Sequence, residues 1–433
     1  MCRKIAPFAF ALMAWAGAAA PAQAAAEPAV PAAREVAPKA APDAATASRP
    51  ITLDAALQAA LEFNPALSAA RREIEAAEGA LTQAGVYQNP TLSVDVEDLR
   101  ARNRSLTTKL SQPIELGGKR AARVSAAERA VDVARAQREA REIQLRAEVT
   151  QVFLAALLSQ ERVRLAEASL DIARSGSLAA SRRVQAGKVS PLEETRSKVA
   201  QANVRLELVQ AQGELRAQMQ ELRALTTAAV PFDALDGDAL GLPSLPPIAV
   251  LQARAEEAPV LRQARLETRR LAALADLELA KRTPDVTVSA GFQRARQDGQ
   301  GSTIAVVGVS IPIPVFDTNR GNIVEALRRR DRSEDEARAL ELRLRADLSI
   351  ARQRLAMASE EVGAVQAEIL PGAQTAFDAA SRGFELGKFQ YLDVLDAQRT
   401  LLQARAQYLR SLGDAHRAVA EVARVLGTST TQP

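Results

Sequence analysis

Three chemically informative side chains occur only once in this 433-residue chain: Cys2, Trp15 and His416. Cys2 and Trp15 fall in an N-terminal stretch built like a secretory leader. It has Arg3 and Lys4, an apolar run from Ile5 to Ala20, and a small-x-small cleavage site at Ala22-Gln23-Ala24. The run approaches membrane-spanning length, so an uncleaved anchor is the competing reading; the cleavage site and the polar stretch beyond it favour removal. Without Cys2 the chain has no thiol, which excludes a disulfide framework, a cysteine nucleophile and thiolate metal sites. Cys2 also precedes the apolar run, the wrong place for a lipid-attachment cysteine. A lone histidine excludes the usual imidazole pairs for transition metals. Ser/His/Asp catalysis would depend on His416, which sits among Ala415, Arg417 and Ala418 with no nucleophile beside it. The expectation is no catalysis, no cofactor and no resident metal.

Aromatic residues are also scarce, at 3% of the chain. Few large side chains mean thin helix-on-helix packing rather than one thick core. The 56 Lys and Arg are interspersed with 52 Asp and Glu, and loss of Arg3 and Lys4 with the leader halves the small basic excess. Nucleic acid is excluded as a partner, because it calls for a concentrated basic face.

What the chain has in quantity is helix former. From Lys119 to Gly187 it is rich in Ala, Leu, Val, Arg, Glu and Gln, with no proline and one internal glycine, Gly176. Val149, Ala156, Val163 and Leu170 recur every seventh residue, with Val152, Ala166 and Ala173 between them, a heptad seam. A helix of this length extends roughly 100 Å. It must be a rod or part of a wall.

Residues 25–50 are an Ala/Pro-rich leader unable to bury a core. Thr52 reads as an N-cap, and Asn64-Pro65 divides two helices that end before Asn89-Pro90. The period then changes. Leu92, Val94 and Val96 alternate with Ser93, Asp95 and Glu97; after a charged loop, Leu106, Thr108 and Leu110 alternate with Thr107, Lys109 and Ser111. This predicts a strand hairpin over 91–112, closed by Pro113, then a Gly117-Gly118 flexible joint, the long helix 119–187 and a return helix 191–226 opened by Pro191. Gly117-Gly118-Lys119 lacks the first glycine and the spacing of a phosphate-binding loop. Residues 228–250, rich in Pro, Gly and Asp, read as a linker.

The plan then repeats. Pro259-Val260-Leu261 matches Pro65-Ala66-Leu67, Thr283-Pro284 matches Asn89-Pro90, Pro312-Ile313 matches Pro113-Ile114, and Gly387-Lys388 matches Gly187-Lys188. The first repeat spans 51–227 and the second 251–427, with a hairpin at 285–311, a long helix 320–387 interrupted by Pro371, a return helix 391–426 and a tail 428–433. Two hairpins with apolar faces cannot stand alone in water. They pack on their own helices, or several chains pool strands into a closed barrel facing lipid. The exported destination and the polar residues Asp95, Glu97 and Lys109 on the second face favour the barrel.

The order helix, hairpin, long helix, glycine tip and return helix, given twice after a signal peptide, resembles the TolC-like outer membrane factors of Gram-negative export systems. The resemblance covers nearly all of the mature chain. Ser111-Gln112-Pro113-Ile114-Glu115-Leu116-Gly117-Gly118-Lys119-Arg120 looks like the junction of the CzcC-type, cation-efflux branch. Leu386 to Phe389 and Leu392 to Gln398 look like the family's second helical tip. The resemblance implies a mainly α, internally duplicated fold. In it a homotrimer pools four strands per chain into a twelve-stranded barrel in the outer membrane, above a periplasmic helical tube. It implies a periplasmic adaptor docked at the tips, Gly187, Lys188, Gly387 and Lys388, and an inner-membrane RND-type pump behind it. It places Asp393 and Asp396 on an acidic ring at the periplasmic entrance, with Glu193 as the first-repeat counterpart and Glu194 beside it. Spaced at i and i+3, the two aspartates share a helix face, where three copies would crowd, raise one another's pKa and welcome a cation. Solvated surface acids are the plainer reading of the same pair. Pro113, Gly117, Gly118 and Pro312 mark the strand-to-helix junctions. Phe389 stands where some members carry a basic gating residue, a departure from the family pattern. The implied function is passive export of divalent heavy-metal cations. The rivals are a duct for drugs or type I secretion, and a periplasmic coiled-coil adaptor or structural protein without a barrel.

Overall fold

The structure, a computed structural model of the chain, describes residues 50–97, 104–297 and 300–427. The expected signal peptide (1–24), the leader through residue 49, the charged loop 98–103 and the tail 428–433 lie outside them.

The chain opens with a two-residue strand, β1 (Ile51–Thr52), and two helices, α1 (Leu53–Phe63) and α2 (Pro65–Ala84). Thr52 caps α1, and the Asn64 side chain accepts the Ala66 N–H at 2.9 Å with Pro65 in the first turn of α2. The hairpin strands are β2 (Thr91–Glu97) and β3 (Ser105–Ile114). The 67-residue α3 (Lys119–Gln185) follows, then α4 (Pro191–Leu225). The second half holds β4 (Leu235–Asp236), α5 (Ile248–Ala255), α6 (Pro259–Ala280), β5 (Val286–Gln297), β6 (Gln300–Ser310), α7 (Arg320–Ala364), α8 (Leu370–Glu385) and α9 (Tyr391–Leu426).

The two hairpins join into one antiparallel sheet of order β2-β3-β5-β6. Register sets Leu92 opposite Leu110, Leu110 opposite Ala290 and Ala290 opposite Val307; a second row runs Val94, Thr108, Phe292, Ala305. Residues in register share a face. The apolar residues of these rows therefore lie on one side of the sheet, where Leu92, Val94, Phe292 and Val307 are exposed in the single chain. The other side carries Ser93, Asp95, Thr107, Lys109, Ser289 and Gln293, joined in β6 by Ile304 and Val306, with Lys109 paired to Asp95 at 3.3 Å. β2 and β6 are open edges. β3 does not close at Pro113 but runs one residue further, with Pro113 opposite Thr287. β2 begins opposite Ser111, so one flank of β3 has no strand partner at this level, a setting where proline fits a strand.

Below the sheet the helices stand side by side in the order of its strands: α2 on α3, α3 on α6, α6 on α7. Further along, α4 packs on α3, α3 on α9, and α9 on α7 and α8. The largest core lies midway, where Val149, Val152, Phe153 and Ala156 of α3 meet Leu222 of α4. The stretch expected to be a plain linker is part of that core. Phe232, Leu235 and Ala239 are buried in it, and β4 pairs in parallel with β1, Leu235 opposite Ile51. The expected long helix 320–387 is continuous but not uniform: a π-helical turn, Val365–Ile369, joins α7 to α8. Pro371 explains it, because a proline lacks the N–H and crowds the carbonyl four residues back, inside that wider turn. Among the described residues no helix is long and apolar enough to cross a membrane.

Candidate functional site

Two places bring the predicted site residues together: the far ends of the long helices and the sheet-to-helix junction. At the far end both tips close the same way. Gly187 and Gly387 adopt left-handed backbone, φ +68° and +74°. The Lys188 N–H reaches back to the Arg183 carbonyl at 2.9 Å, and the Lys388 N–H to the Gly383 carbonyl at 2.8 Å. This is the helix-ending motif that glycine permits. Both lysines are exposed.

The tips are tied to each other through Arg183 and Tyr391, which sequence reasoning passed over. Arg183 lies over the Phe384 ring, 3.8 Å from its centre, and donates to the Phe384 carbonyl at 2.7 Å. The Tyr391 ring rests on Gly176 of α3 and the Phe389 ring on Gly383 of α8; a β-carbon at either glycine would overlap the ring. Burial of Tyr391 pushes its phenol up to about 12, so the hydroxyl stays protonated. One signal was available: the second tip has two aromatics where the first has Val189 and Pro191.

Asp393 and Glu193 both stand in the first turn of a return helix, where an acid suits the helix dipole. Asp393 also completes a capping box with Gln390, accepting its N–H at 2.9 Å. Asp396 is exposed on the same side of α9, away from the buried stripe of Tyr391, Val394 and Gln398. Glu193 pairs with Arg196 at 3.3 Å. Glu194 is tied to Lys198 at 2.6 Å and to the Ser181 hydroxyl at 3.0 Å, and these bonds, that to Lys198 first, hold its carboxyl below the usual range.

At the junction Gly117 and Gly118 both take left-handed backbone, with φ +70° and +72°. A β-carbon on Gly117 would come within 2.6 Å of Thr283, whereas Gly118 faces open space. Asp285 accepts the Leu116 N–H at 3.1 Å and pairs with Lys119 at 2.7 Å, tying the second repeat to the first. Glu115 binds Arg123 through two hydrogen bonds, 2.5 and 3.1 Å, and Arg123 also donates to the Ala84 and Val86 carbonyls. The Arg123 guanidinium holds the half-buried Glu115 carboxyl below the usual range, against the opposing effect of desolvation. Arg120 caps the end of α2, donating to the Gly85 carbonyl at 2.7 Å and lying over the Tyr87 ring. Pro312 lies in the exposed connection after β6, and Asn319, at φ +56°, ends that connection with two bonds to Glu278.

His416 is mostly buried, and its Nε2 lies 3.0 Å from the Ala239 carbonyl, the neutral tautomer donating. Burial pushes its pKa down, against the Ala239 bond and the nearby Asp238 charge. The described residues hold no group of three or more His, Cys, Asp or Glu fit for a metal ion.

The chain matches the family model for the outer membrane efflux protein in two blocks, residues 56–228 and 250–428. It is 44% identical over 382 residues to the cobalt-zinc-cadmium resistance protein CzcC of Cupriavidus metallidurans, covering 88% of this chain and 91% of that one. The nickel and cobalt resistance protein CnrC of the same organism is 31% identical over 279 residues, 63% of this chain and 66% of that one. Among solved structures, the CmeC outer membrane channel of Campylobacter jejuni superposes with a TM-score of 0.73 at 14% identity, covering 88% of this chain and 87% of that one.

Proposed function

The chain belongs to the outer membrane efflux protein family, and from this we propose that it is the outer membrane duct of a tripartite system for divalent heavy-metal cations. Three copies close a twelve-stranded barrel, and their helices form a tube into the periplasm. The observation that carries the trimer is the sheet itself: four strands with an apolar face, a second face that is polar over β2, β3 and β5, and two unpaired edges. In a bilayer such edges must be closed, because lipid offers no hydrogen bonds. An adaptor docks at the Gly187-Lys188 and Gly387-Lys388 tips, and an inner-membrane RND-type pump supplies the energy. The duct itself is passive, since a wall that held Zn²⁺ tightly would retain its cargo.

The metal cargo is supported by the relatives named for cobalt, zinc, cadmium and nickel resistance. Deletion of the gene should lower tolerance to cobalt, zinc or cadmium, and plasmid-borne wild type should restore it. Unchanged tolerance to all three, and to copper and nickel, would overturn the metal reading. The mass of the purified protein in detergent tests the trimer.

A further inference from the structure

The apolar face of the sheet ends in charge of one sign. The helices leave the sheet at its Ile114 end. From the row of Ile114 and Val286 up to that of Val94, Thr108, Phe292 and Ala305, this face carries no charged residue. Between Ile114 and Leu106 it covers about 26 Å along β3, close to the depth of an outer-membrane apolar band once the strands tilt. The row of Leu106 then brings in Arg294. One step further from the helices, Arg296 stands opposite Arg104: Ser105 pairs with Ala295, and the Arg296 N–H donates to the Arg104 carbonyl at 2.9 Å. Side chains alternate along a strand, so all three arginines share the face of Leu110 and Phe292, and all three are exposed.

The described residues beside them on that face are Val96, Leu106, Thr303 and Gly301, none of them an acid. Arginine keeps its charge, and like charges directly opposite on a sheet destabilise it. Such a pair calls for an anion. The other face at the same level holds Glu97, Ser105, Ala295 and Ser302, so the positive charge is no collar around the lumen. Nor does it serve a neighbouring copy, because β3 and β5 are the two central strands, away from the open edges. What remains is the lipid itself, at the level where the apolar band gives way to headgroups.

We infer that Arg104, Arg294 and Arg296 of each protomer bind the phosphates of lipid A in the outer leaflet, its acyl chains lying over the apolar rows beneath. The inference rests on the barrel reading, which turns this face to lipid. Lipid A offers what the geometry asks for, phosphate groups set directly above hydrocarbon. The planar guanidinium fork matches phosphate with two parallel hydrogen bonds, and three forks within two strand steps can share one headgroup.

The purified full chain in detergent tests it, with fluorescent lipid A as the probe. The wild type should bind about ten-fold more tightly than the triple variant Arg104→Gln, Arg294→Gln, Arg296→Gln, and lipid A stripped of its phosphates should not tell the two apart. Equal affinities for lipid A, or equally tight binding of the phosphate-free lipid by the wild type, overturn the site. Inorganic phosphate at the concentration of the lipid should displace none of it; displacement would make this a free-anion site and overturn the lipid. Arg296→Gln alone guards against a triple variant that fails to fold. Without lipid A it removes the like-charge pair and should dissociate from its trimer no earlier than the wild type. Lipid A should then raise the dissociation temperature of the wild type more than that of the variant, and an equal rise overturns the site. A trimer by mass with no preference for lipid A sinks this inference alone, whereas a wild type that is monomeric by mass sinks the barrel reading and the inference with it.

Discussion

At the scale of single residues, geometry separates glycines that look alike in the sequence. Gly117 and Gly118 both hold left-handed backbone, which a side chain destabilises by roughly 1–2 kcal/mol. Only Gly117 also faces the Thr283 side chain. Gly117→Ala should therefore lower the unfolding temperature in detergent more than Gly118→Ala, and equal shifts would mean that the close approach to Thr283 carries no weight. Sequence reasoning gave His416 no role as a ligand or catalyst, and its partner was not legible: Ala239 lies 177 positions earlier, in a stretch with no periodicity to mark it as buried. The folded chain holds this imidazole below its ordinary pKa, so the unfolded chain binds the proton first as pH falls. His416 thus contributes stability in full above about pH 6.5 and loses it as acid approaches the folded value. His416→Gln keeps a donor for Ala239 and should flatten the pH dependence of unfolding below 6.5.

At the scale of elements, the strands and long helices were readable because each has a period and a composition that act locally. Alternation at Leu92, Val94 and Val96 fixes a face wherever the strand goes, and the heptads of α3 fix its buried side. Contacts between distant segments leave no such trace. Nothing near Lys119 announces Asp285, 166 residues away, and Phe232 or Leu235 in a Pro/Gly-rich stretch gives no period to follow. Pro371 marked an interruption, yet whether it kinks a helix or widens one turn depends on neighbours that the local sequence does not encode. The junction motif gains its meaning from such a contact. Glu115 is held by Arg123, and Arg123 by the end of α2. Arg123→Met removes the cation from a half-buried carboxylate and should destabilise the fold by about 1 kcal/mol. Because the pair holds the folded Glu115 pKa below its ordinary 4.5, its contribution is complete above that pH and fades as pH falls through the folded value. The variant should lose much of its deficit in acid, where the wild type loses the pair too.

At the scale of the whole molecule, the proposed acidic entrance can be tested only if helix capping is kept apart from conduction. Asp393 serves the capping box of α9, so replacing it loosens the helix start whether or not it faces the passing ions. Asp396 makes no ion pair among the described residues, its side chain is exposed, and only its backbone carbonyl is engaged, by Thr400. Asp396→Asn is the clean substitution. It preserves shape and polarity and, on the proposed placement, removes three charges from the axis of the trimer at once. Charges gathered in a narrow mouth raise the local cation concentration, and salt screens them. In planar bilayers the variant should conduct cations over anions less selectively than the wild type. The gap should be widest at low ionic strength and shrink as salt rises, with trimer stability unchanged. Equal reversal potentials at low salt would place Asp396 away from the ion path and leave Asp393 with capping as its whole role.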